Sequence, residues 1–338
     1  MRQQITPLRV IGTIVVVLVV TTVILLNVPS SDYILLPDIA HPVAPLVKVE
    51  GGREPPGGGG IYFLDVIERR ANEFEKLFPW IHSDATFVPA SVIVPPGSSS
   101  AAVQAADLRE MSMSQRIAAA VALRKLGRHV VVRPNGVIVN VLGSGTDAAR
   151  KLQPADVIVE AAGKPTPTIA SLRQALSRVT PGEVVDIRVK RGSKLLTEPV
   201  RTVADRREPD RALIGFEPAQ AAEIKLPIRV SIDAQGVGGP SAGLAFALEI
   251  MSKLGRNVTH GYRVAATGQM NLDGTVSAIG GVRQKVVDAQ RAGVDVLLAP
   301  VDGGNARVAR RYARHLRVIP VRTLGQALHA LAALPPKQ

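Results

Sequence analysis

A glycine-rich turn holds the serine that is the strongest candidate nucleophile in this sequence. Residues 228–254 read IRVSIDAQGVGGPSAGLAFALEIMSKL, which predicts a strand, a turn and an apolar helix that stops at Gly255. Ser241 falls at the helix start, and Gly238 and Gly239 let the backbone bend so that free N–H groups face an oxyanion. The same pattern also fits a serine that only caps the helix.

A serine nucleophile needs a base, and lysine fits the spacing better than histidine. Lys253 lies on the helix that Ser241 begins, roughly 18 Å away at the usual rise per residue, which is too far for contact. Lys285, in AIGGVRQKVVDAQRAG, falls in the first turn or so of a second predicted helix. There the helix dipole and partial burial favour the neutral amine that accepts a serine proton. A lysine on the solvated face of an amphipathic helix is the alternative.

Other interpretations of the serine loop fit less well. The letters G-P-S-A-G match the nucleophile elbow of α/β-hydrolases, but fewer than about 100 residues follow and no series of βα units precedes them. A Ser-His-Asp triad would recruit His315 with Asp273, Asp288 or Asp295, and nothing in their spacing selects these residues. No G-x-x-x-x-G-K-[ST] segment occurs in the sequence, so we expect no ATPase module.

Metal and cofactor chemistry are not expected. The absence of cysteine excludes a thiol nucleophile, a disulfide framework and a thiolate metal site. The six histidines are scattered, with no H-E-x-x-H or similar ligand spacing. They are His41, His82, His129, His260, His315 and His329. We therefore predict neither a metal nor a cofactor.

A formal net charge of +13 raises the question of nucleic-acid binding. Arginines recur at helical spacing in NARVARRYARHLR, a pattern typical of a solvated helix face. They are Arg307, Arg310, Arg311, Arg314 and Arg317. Since no aromatic residues alternate with them in a recognisable nucleic-acid module, we expect no nucleic-acid partner; attraction to anionic lipid or a cell-surface polymer is the functional alternative.

One apolar run near the N-terminus predicts a membrane anchor. Residues 10–26 are uncharged and close to the minimum length that crosses ~30 Å of hydrocarbon as a helix. Arg2 and Arg9 precede the run and Asp32 and Asp38 follow it, so the positive-inside rule predicts a cytoplasmic N-terminus and an extracytoplasmic bulk. A cleaved signal peptide is the alternative.

The region from 31 to 128 predicts a hairpin followed by helices. Residues 46–50 and 61–67 read as strands on either side of a segment rich in Gly and Pro. Next come a helix over 67–78, an exposed loop over 89–102, and a helix that begins at the capping-box pattern of Ser112 and Gln115 and stops at Gly127.

Short strands around one helix fill residues 129–204 and predict a small, mostly β domain. Within it, residues 136–190 resemble a PDZ domain of the bacterial protease-associated type, on the strand GVIVNV and the segment KLQPADVIVEAAGKP. Ala155 stands where such domains usually have glycine, and it would strain a turn that requires positive φ. The resemblance implies capture of an extended peptide at a sheet edge. A rigid spacer is the alternative.

Residues 228–333 resemble the proteolytic domain of Lon proteases. The shared motifs are G-P-S-A-G at 239–243, A-T-G-x-x-x-x-x-G at 266–274, I-G-G-x-x-x-K at 279–285 and a strand that ends in Ala-Pro at 299–300. With its apolar N-terminus and PDZ-like segment, the whole chain resembles the membrane-bound, PDZ-containing Lon-like proteases of actinobacteria and related bacteria. This resemblance implies Ser241 and Lys285 as a catalytic dyad, Thr267 as a supporting hydroxyl, and assembly into a hexameric ring.

The chain departs from the Lon pattern at two positions. Lon usually has an acidic residue where this chain has Gly238, and a glutamate where this chain has Gln269. Neither change removes the dyad. The first removes an acidic side chain that could cover the serine.

Together these patterns predict a multidomain protein of the α+β and α/β classes. We expect an anchor over 1–30, an N-terminal extracytoplasmic region over 31–128, a PDZ-like domain over 129–204 and a Lon-type proteolytic domain over 205–338. The predicted function is ATP-independent hydrolysis of unfolded or flexible proteins at the outer side of the cytoplasmic membrane, with the PDZ-like domain presenting substrate. A catalytically idle, membrane-tethered PDZ scaffold is the alternative.

Overall fold

The structure is a computed structural model that describes residues 7–54, 59–94, 99–335 and 337. Arg2, which entered the orientation argument, lies outside these residues, as do residues 55–58 and 95–98 of the predicted turn and loop. The first helix, α1, spans Pro7–Asn27 and contains the predicted apolar run. Its stretch Val10–Asn27 is long and apolar enough to cross a membrane, and none of it is buried against protein.

The segment after α1 forms a small antiparallel sheet and a long helix. Its elements are β1 (Pro29–Pro37), β2 (His41–Pro42), β3 (Val47–Val49), β4 (Gly60–Phe63), β5 (Val66–Asn72), α2 (Glu73–Leu77), β6 (Thr86–Pro89), α3 (Ala90–Ile93) and α4 (Ser100–Lys125). Strands β5, β1 and β6 pair in that order. This sheet lies directly after α1 in the chain.

The predicted hairpin is wrong, although both of its strands exist. Strand β3 pairs with residues 230–232, and β4 pairs with residues 263–265, so the two strands do not pair with each other. Ile61 and Phe63 on β4 belong to the main hydrophobic core, whose other members come largely from the C-terminal part of the chain. Burial of these side chains in a distant sheet decides the pairing, rather than the intervening turn.

The two helices predicted in this region begin at other residues than expected. The first half of the predicted helix over 67–78 is strand β5, and α2 starts only after Asn72, which forms a capping box with Glu75. Helix α4 begins about three turns before Ser112, because the Ser99 hydroxyl accepts a hydrogen bond from the Ala102 N–H at 3.1 Å and caps it. The predicted stop at Gly127 agrees with the structure, since this glycine has φ +76° after the last helical turn.

A β-rich middle domain follows α4. It contains β7 (Val131–Leu142), α5 (Ala148–Lys151), β8 (Val157–Ala161), β9 (Lys164–Pro165), α6 (Ile169–Leu176), β10 (Val184–Arg191), β11 (Lys194–Arg201), β12 (Val203–Ala204), β13 (Ala212–Leu213) and β14 (Phe216–Lys225). The main path of its sheet runs β11-β10-β8-β7-β14. Since β14 pairs with β7 along its whole length, the sheet extends past residue 204.

A three-layer domain is completed by the rest of the chain. Its elements are β15 (Val230–Ile232), α7 (Gly243–Lys253), β16 (Arg263–Ala266), β17 (Gln269–Met270), β18 (Val276–Ser277), α8 (Val282–Arg291), β19 (Val296–Pro300), α9 (Asn305–Tyr312), β20 (Arg317–Val321) and α10 (Leu324–Ala332). The central sheet has the order β2-β4-β16-β19-β20, with β4 to β20 parallel.

Alternating side chains of the central strands face two separate cores. On β19, Leu298 packs with helices α4, α7 and α10, whereas Leu297 and Ala299 pack with α8 and α9 on the opposite face. This alternation is what a sheet covered by helices on both sides requires. Because β4 and α4 precede the middle domain and β15 follows it, the middle domain is an insertion within the three-layer domain.

Candidate active site

The turn before α7 presents Ser241 at the carboxyl end of the central sheet. Gly236 and Gly239 have φ +82° and +80°, the left-handed conformation that lets this turn reverse direction. The Ser241 carbonyl accepts a hydrogen bond from the Gly268 N–H at 2.8 Å, which fixes the turn to the segment after β16. A Cβ at Gly243 would lie 2.9 Å from the backbone nitrogen of Met270, so this position tolerates only glycine.

Lys285 reaches the same place from α8. It is the fourth residue of that helix, which starts after Gly281, and only 4% of it is exposed. Its Nζ lies 2.7 Å from Ser241 Oγ and 3.4 Å from Thr267 Oγ1, in hydrogen-bonding geometry with both. The structure thus brings together the two residues predicted as nucleophile and base.

The environment of Lys285 makes its neutral amine far more populated near neutral pH than the amine of an exposed lysine. Burial lowers the pKa of Lys285 to about 8, while the negative charges of Asp65 and Asp288 act in the opposite direction. The neutral amine of lysine can accept a proton from a hydroxyl group and later return it. The site is therefore able to perform nucleophilic acyl transfer.

Thr267 lies at the end of β16 and is buried beside the pair. Its hydroxyl is 3.4 Å from the Ser241 carbonyl oxygen as well as 3.4 Å from Lys285 Nζ. Its own N–H donates to the carbonyl of Leu298 at 3.1 Å, which ties it to the neighbouring strand. The predicted supporting hydroxyl is thus in contact with the pair.

The N–H group of Gly239 is occupied in this structure. It donates to the Asp107 carbonyl of α4 at 2.9 Å, and a Cβ at Gly238 would lie 2.6 Å from the Asp107 Cβ. Helix α4 also holds the loop through Ser114, whose hydroxyl donates to the Pro240 carbonyl at 3.1 Å. Gly239 does not offer a free oxyanion donor in this arrangement, and the oxyanion roles of Gly238 and Gly239 stay predictions.

The residues of the alternative Ser-His-Asp triad have other contacts. Asp273 accepts hydrogen bonds from Thr275, Asp295 pairs with Lys337, and His315 is exposed. Asp288 is buried one turn after Lys285 on α8. In the described part of the chain, none of these four side chains is hydrogen-bonded to Ser241, so the structure gives the triad no support.

A group that linear spacing did not reveal lies near Lys285. His41 Nε2 is 3.3 Å from Asp65 Oδ1 and 3.7 Å from Asp38 Oδ2, and the three side chains place ligand atoms within 4.8 Å of one another, so that they could hold a cation. The prediction that no metal binds used only spacing along the chain. Asp38 precedes β2, His41 lies within it and Asp65 follows β4. Only the folded sheet brings these three residues together.

Two neighbouring cavities lie in the middle domain and between it and the serine loop. A groove of about 760 Å³ lies between α6 and β14, and its lining includes Leu172 and Phe216. A second cavity of about 580 Å³ reaches Pro240, next to Ser241. Ile169 and Pro218 line both cavities, so the two cavities are neighbours.

Comparisons with known proteins identify two domains in the predicted order. Residues 208–333 match the Lon protease (S16) C-terminal proteolytic domain, and residues 124–202 match the PDZ domain. The chain is 38% identical over 107 residues to Lon protease 1 of Sorangium cellulosum, covering 28% of this chain and 13% of that protein. It is 33% identical over 124 residues to the Lon protease of Rhizobium meliloti, covering 36% of this chain and 15% of that protein.

These relatives are therefore much longer than the region they share with this chain. Among solved structures, the chain is similar to the PDZ domain of the SdrC-like protein from Listeria monocytogenes, with 24% identity and a TM-score of 0.23, covering 25% of this chain and 87% of that one. The predicted PDZ-like and Lon-like segments are confirmed, together with a mixed α and β fold and one apolar N-terminal helix.

Proposed function

We propose that this chain, which carries a PDZ domain and a Lon-type proteolytic domain, is a serine endopeptidase with Ser241 as nucleophile and Lys285 as base. One observation carries the proposal: the buried Lys285 Nζ lies 2.7 Å from Ser241 Oγ. The neutral amine takes the hydroxyl proton while Oγ attacks the carbonyl carbon of a peptide bond. The resulting ammonium then gives this proton to the leaving amine, and water releases the acyl group by the same steps.

The Thr267 hydroxyl supports this exchange by holding the lysine. Lys285 has three N–H donors when charged, and Ser241 Oγ and Thr267 Oγ1 accept two of them. Thr267 thereby keeps the amine directed at the serine as its charge changes. This hydroxyl has a positioning role in the proposal.

We also propose that α1 anchors the protease in the cytoplasmic membrane, with its N-terminus inside and the two domains outside. Support comes from the uncovered apolar stretch Val10–Asn27 and from the charge difference across it in the sequence. Since the sequence contains no phosphate-binding loop, the substrates are chains that need no ATP-driven unfolding.

The PDZ domain presents the substrate in this proposal. Strand β14 pairs with β7 on one side, and its other side borders the groove beneath α6. An extended peptide can add to that edge by main-chain hydrogen bonds, and the groove wall carries both basic and acidic side chains. From there a bound chain reaches Pro240 through the cavity that shares Ile169 and Pro218 with the groove. A hexameric ring stays a prediction from family resemblance.

Cleavage of an unstructured protein tests the proposed chemistry. Without nucleotide, the chain should degrade casein, and Ser241→Ala and Lys285→Ala should each lower kcat/KM by at least about 10³-fold, because nucleophile and base act as one unit. Lys253→Met is the matched control: this lysine is also buried but bonds Glu54 at 2.6 Å, so its loss should spare activity. Near-normal turnover by a folded Lys285→Ala variant would reject the dyad.

A further inference from the structure

An exposed apolar surface lies where α1 meets the rest of the protein. At the end of α2, Leu77 is 55% exposed, and Trp80 and Ile81 in the next turn are 69% and 50% exposed. The Phe78 ring contacts Phe74 at 4.8 Å and Trp80 at 5.1 Å. We call these five residues the aromatic cluster. Ring packing holds it in shape while leaving much of its surface uncovered.

The aromatic cluster is fixed to the end of the proposed membrane span. Helix α2 packs against α1, and the Glu73 N–H donates to the Val28 carbonyl at 3.0 Å. Pro29, the first residue of β1, lies opposite Asn72, the residue that caps α2. An apolar helix of this length fills the hydrocarbon region, so its last turn lies at the boundary with the headgroups. The aromatic cluster is therefore held at that depth.

Five charged side chains near the cluster are already paired with one another. Glu75 accepts a hydrogen bond from Arg69 at 3.0 Å and lies 3.0 Å from His82 Nε2. Lys76 forms an ion pair with Asp32 at 3.1 Å. When the cluster contacts lipid, each of these five charged side chains keeps a partner. This pairing lowers the desolvation cost of the lipid contact.

We propose that the aromatic cluster is a second membrane contact, lying in the headgroup region of the bilayer that α1 spans. This inference rests on the proposed anchoring by α1. Tryptophan prefers the membrane interface because its ring combines an apolar body with a polar N–H group. Two contacts, the helix and the cluster, fix the orientation of the proteolytic domain relative to the membrane, which a single flexible tether would not do.

Trp80 is the only tryptophan of the sequence, so its fluorescence reports on this contact directly. The full chain is reconstituted into phosphatidylcholine vesicles, with or without a lipid that carries a doxyl quencher near its headgroup. We expect the doxyl lipid to remove most of the Trp80 emission and aqueous iodide to remove little. The control is the double variant Trp80→Phe, Leu195→Trp, whose new ring on exposed β11 should respond to iodide alone.

Two results would overturn the membrane contact. Quenching of Trp80 by iodide but not by doxyl lipid places the ring in water, and resistance to both places it under protein, such as a second copy of this chain. Alkaline carbonate extraction of the same vesicles tests the anchor separately. Release of the chain by carbonate rejects the span of α1 and with it the contact, whereas retention with an iodide-sensitive Trp80 rejects the contact alone.

Discussion

The state of Lys285 sets the pH dependence that the proposed dyad must show. Burial holds the pKa of this amine at about 8, and the protonated form cannot accept the Ser241 proton. We therefore expect kcat/KM for a short peptide to rise about tenfold per pH unit below this pKa and to level off above it. A pH-rate profile of the wild type measures this. A profile that falls between pH 6 and pH 8 would contradict a lysine base.

Asp65 offers a way to move that profile. Its negative charge raises the pKa of Lys285, so Asp65→Asn should lower that pKa and shift the rising limb to lower pH. The measurement is the midpoint of the limb in wild type and variant. Asp273→Asn, in a turn where Asp273 bonds Thr275, should leave the midpoint unchanged. An upward shift in Asp65→Asn would show that the assigned electrostatic effect is wrong.

The sequence allows the central residues of the site to be predicted, but not their surroundings. Ser241 and Lys285 stand in glycine-rich motifs whose backbone requirements are local, so their positions can be inferred from the chain itself. Asp65 and His41 carry no such local pattern. They come together only because β2 pairs with β4, and β4 enters a sheet with β16, about 200 residues further along the chain.

The turn before β8 shows how an element tolerates an unfavourable residue. Ala155 has φ +63°, a conformation that costs roughly 1–2 kcal/mol for a residue with a Cβ. Ala155→Gly removes this strain. The greater conformational freedom of glycine in the unfolded chain offsets roughly 0.5–1 kcal/mol of this stabilisation. Because Ala155 is only 1% exposed, the loss of its buried methyl group costs about 0.8 kcal/mol as well, and we expect a net change close to zero in urea unfolding followed on the PDZ domain.

A matched substitution at negative φ separates strain from a general effect of glycine. Ala170→Gly, on the exposed face of α6, should destabilise the domain by up to about 1 kcal/mol because glycine disfavours helices. If Ala155→Gly destabilises the domain as much as Ala170→Gly does, the left-handed alanine stores no strain.

Element types near the N-terminus were harder to predict than the later ones, and the reason is physical. The apolar residues at 67, 71 and 74 fit a helical stripe. Most of that segment is instead strand β5, which pairs with β1, and α2 begins only after Asn72. In the PDZ domain, alternation along β10 gives a buried face and an exposed face within one element, so its pattern needs no distant partner to be recognised.

Both domains follow α1 in the chain, so the proposed membrane topology places both on the same side of the membrane and can be tested. With the N-terminus inside, protease added to intact cells should degrade everything after Asn27, while a cytoplasmic marker protein survives. Removal of residues 1–28 should release a soluble chain that still cleaves short peptides, since Ser241 lies in the turn before α7 and Lys285 lies on α8. Protection of the domains until the membrane is broken would reverse the orientation.

The insertion of the PDZ domain allows its role to be separated from folding. Val131 and Lys225 are register partners at the ends of β7 and β14, so the domain leaves the protease through two adjacent strands. A short Gly-Ser linker can therefore replace residues 131–225. Deletion of 129–204 alone would leave β14 without its partner β7 and expose a sheet edge.

We expect this excision to lower kcat/KM for casein much more than for a short peptide. The reason is that edge-strand capture at β14 supplies affinity only to an extended chain, whereas a short peptide diffuses directly to Ser241. The control is the excised enzyme carrying Ser241→Ala, which should cleave neither substrate. An equal fall for both substrates would mean that the PDZ domain supports the serine loop, for instance through the contact of Asn140 with Gln269 at 3.2 Å. No change in either would leave the PDZ domain as a spacer between α4 and β15.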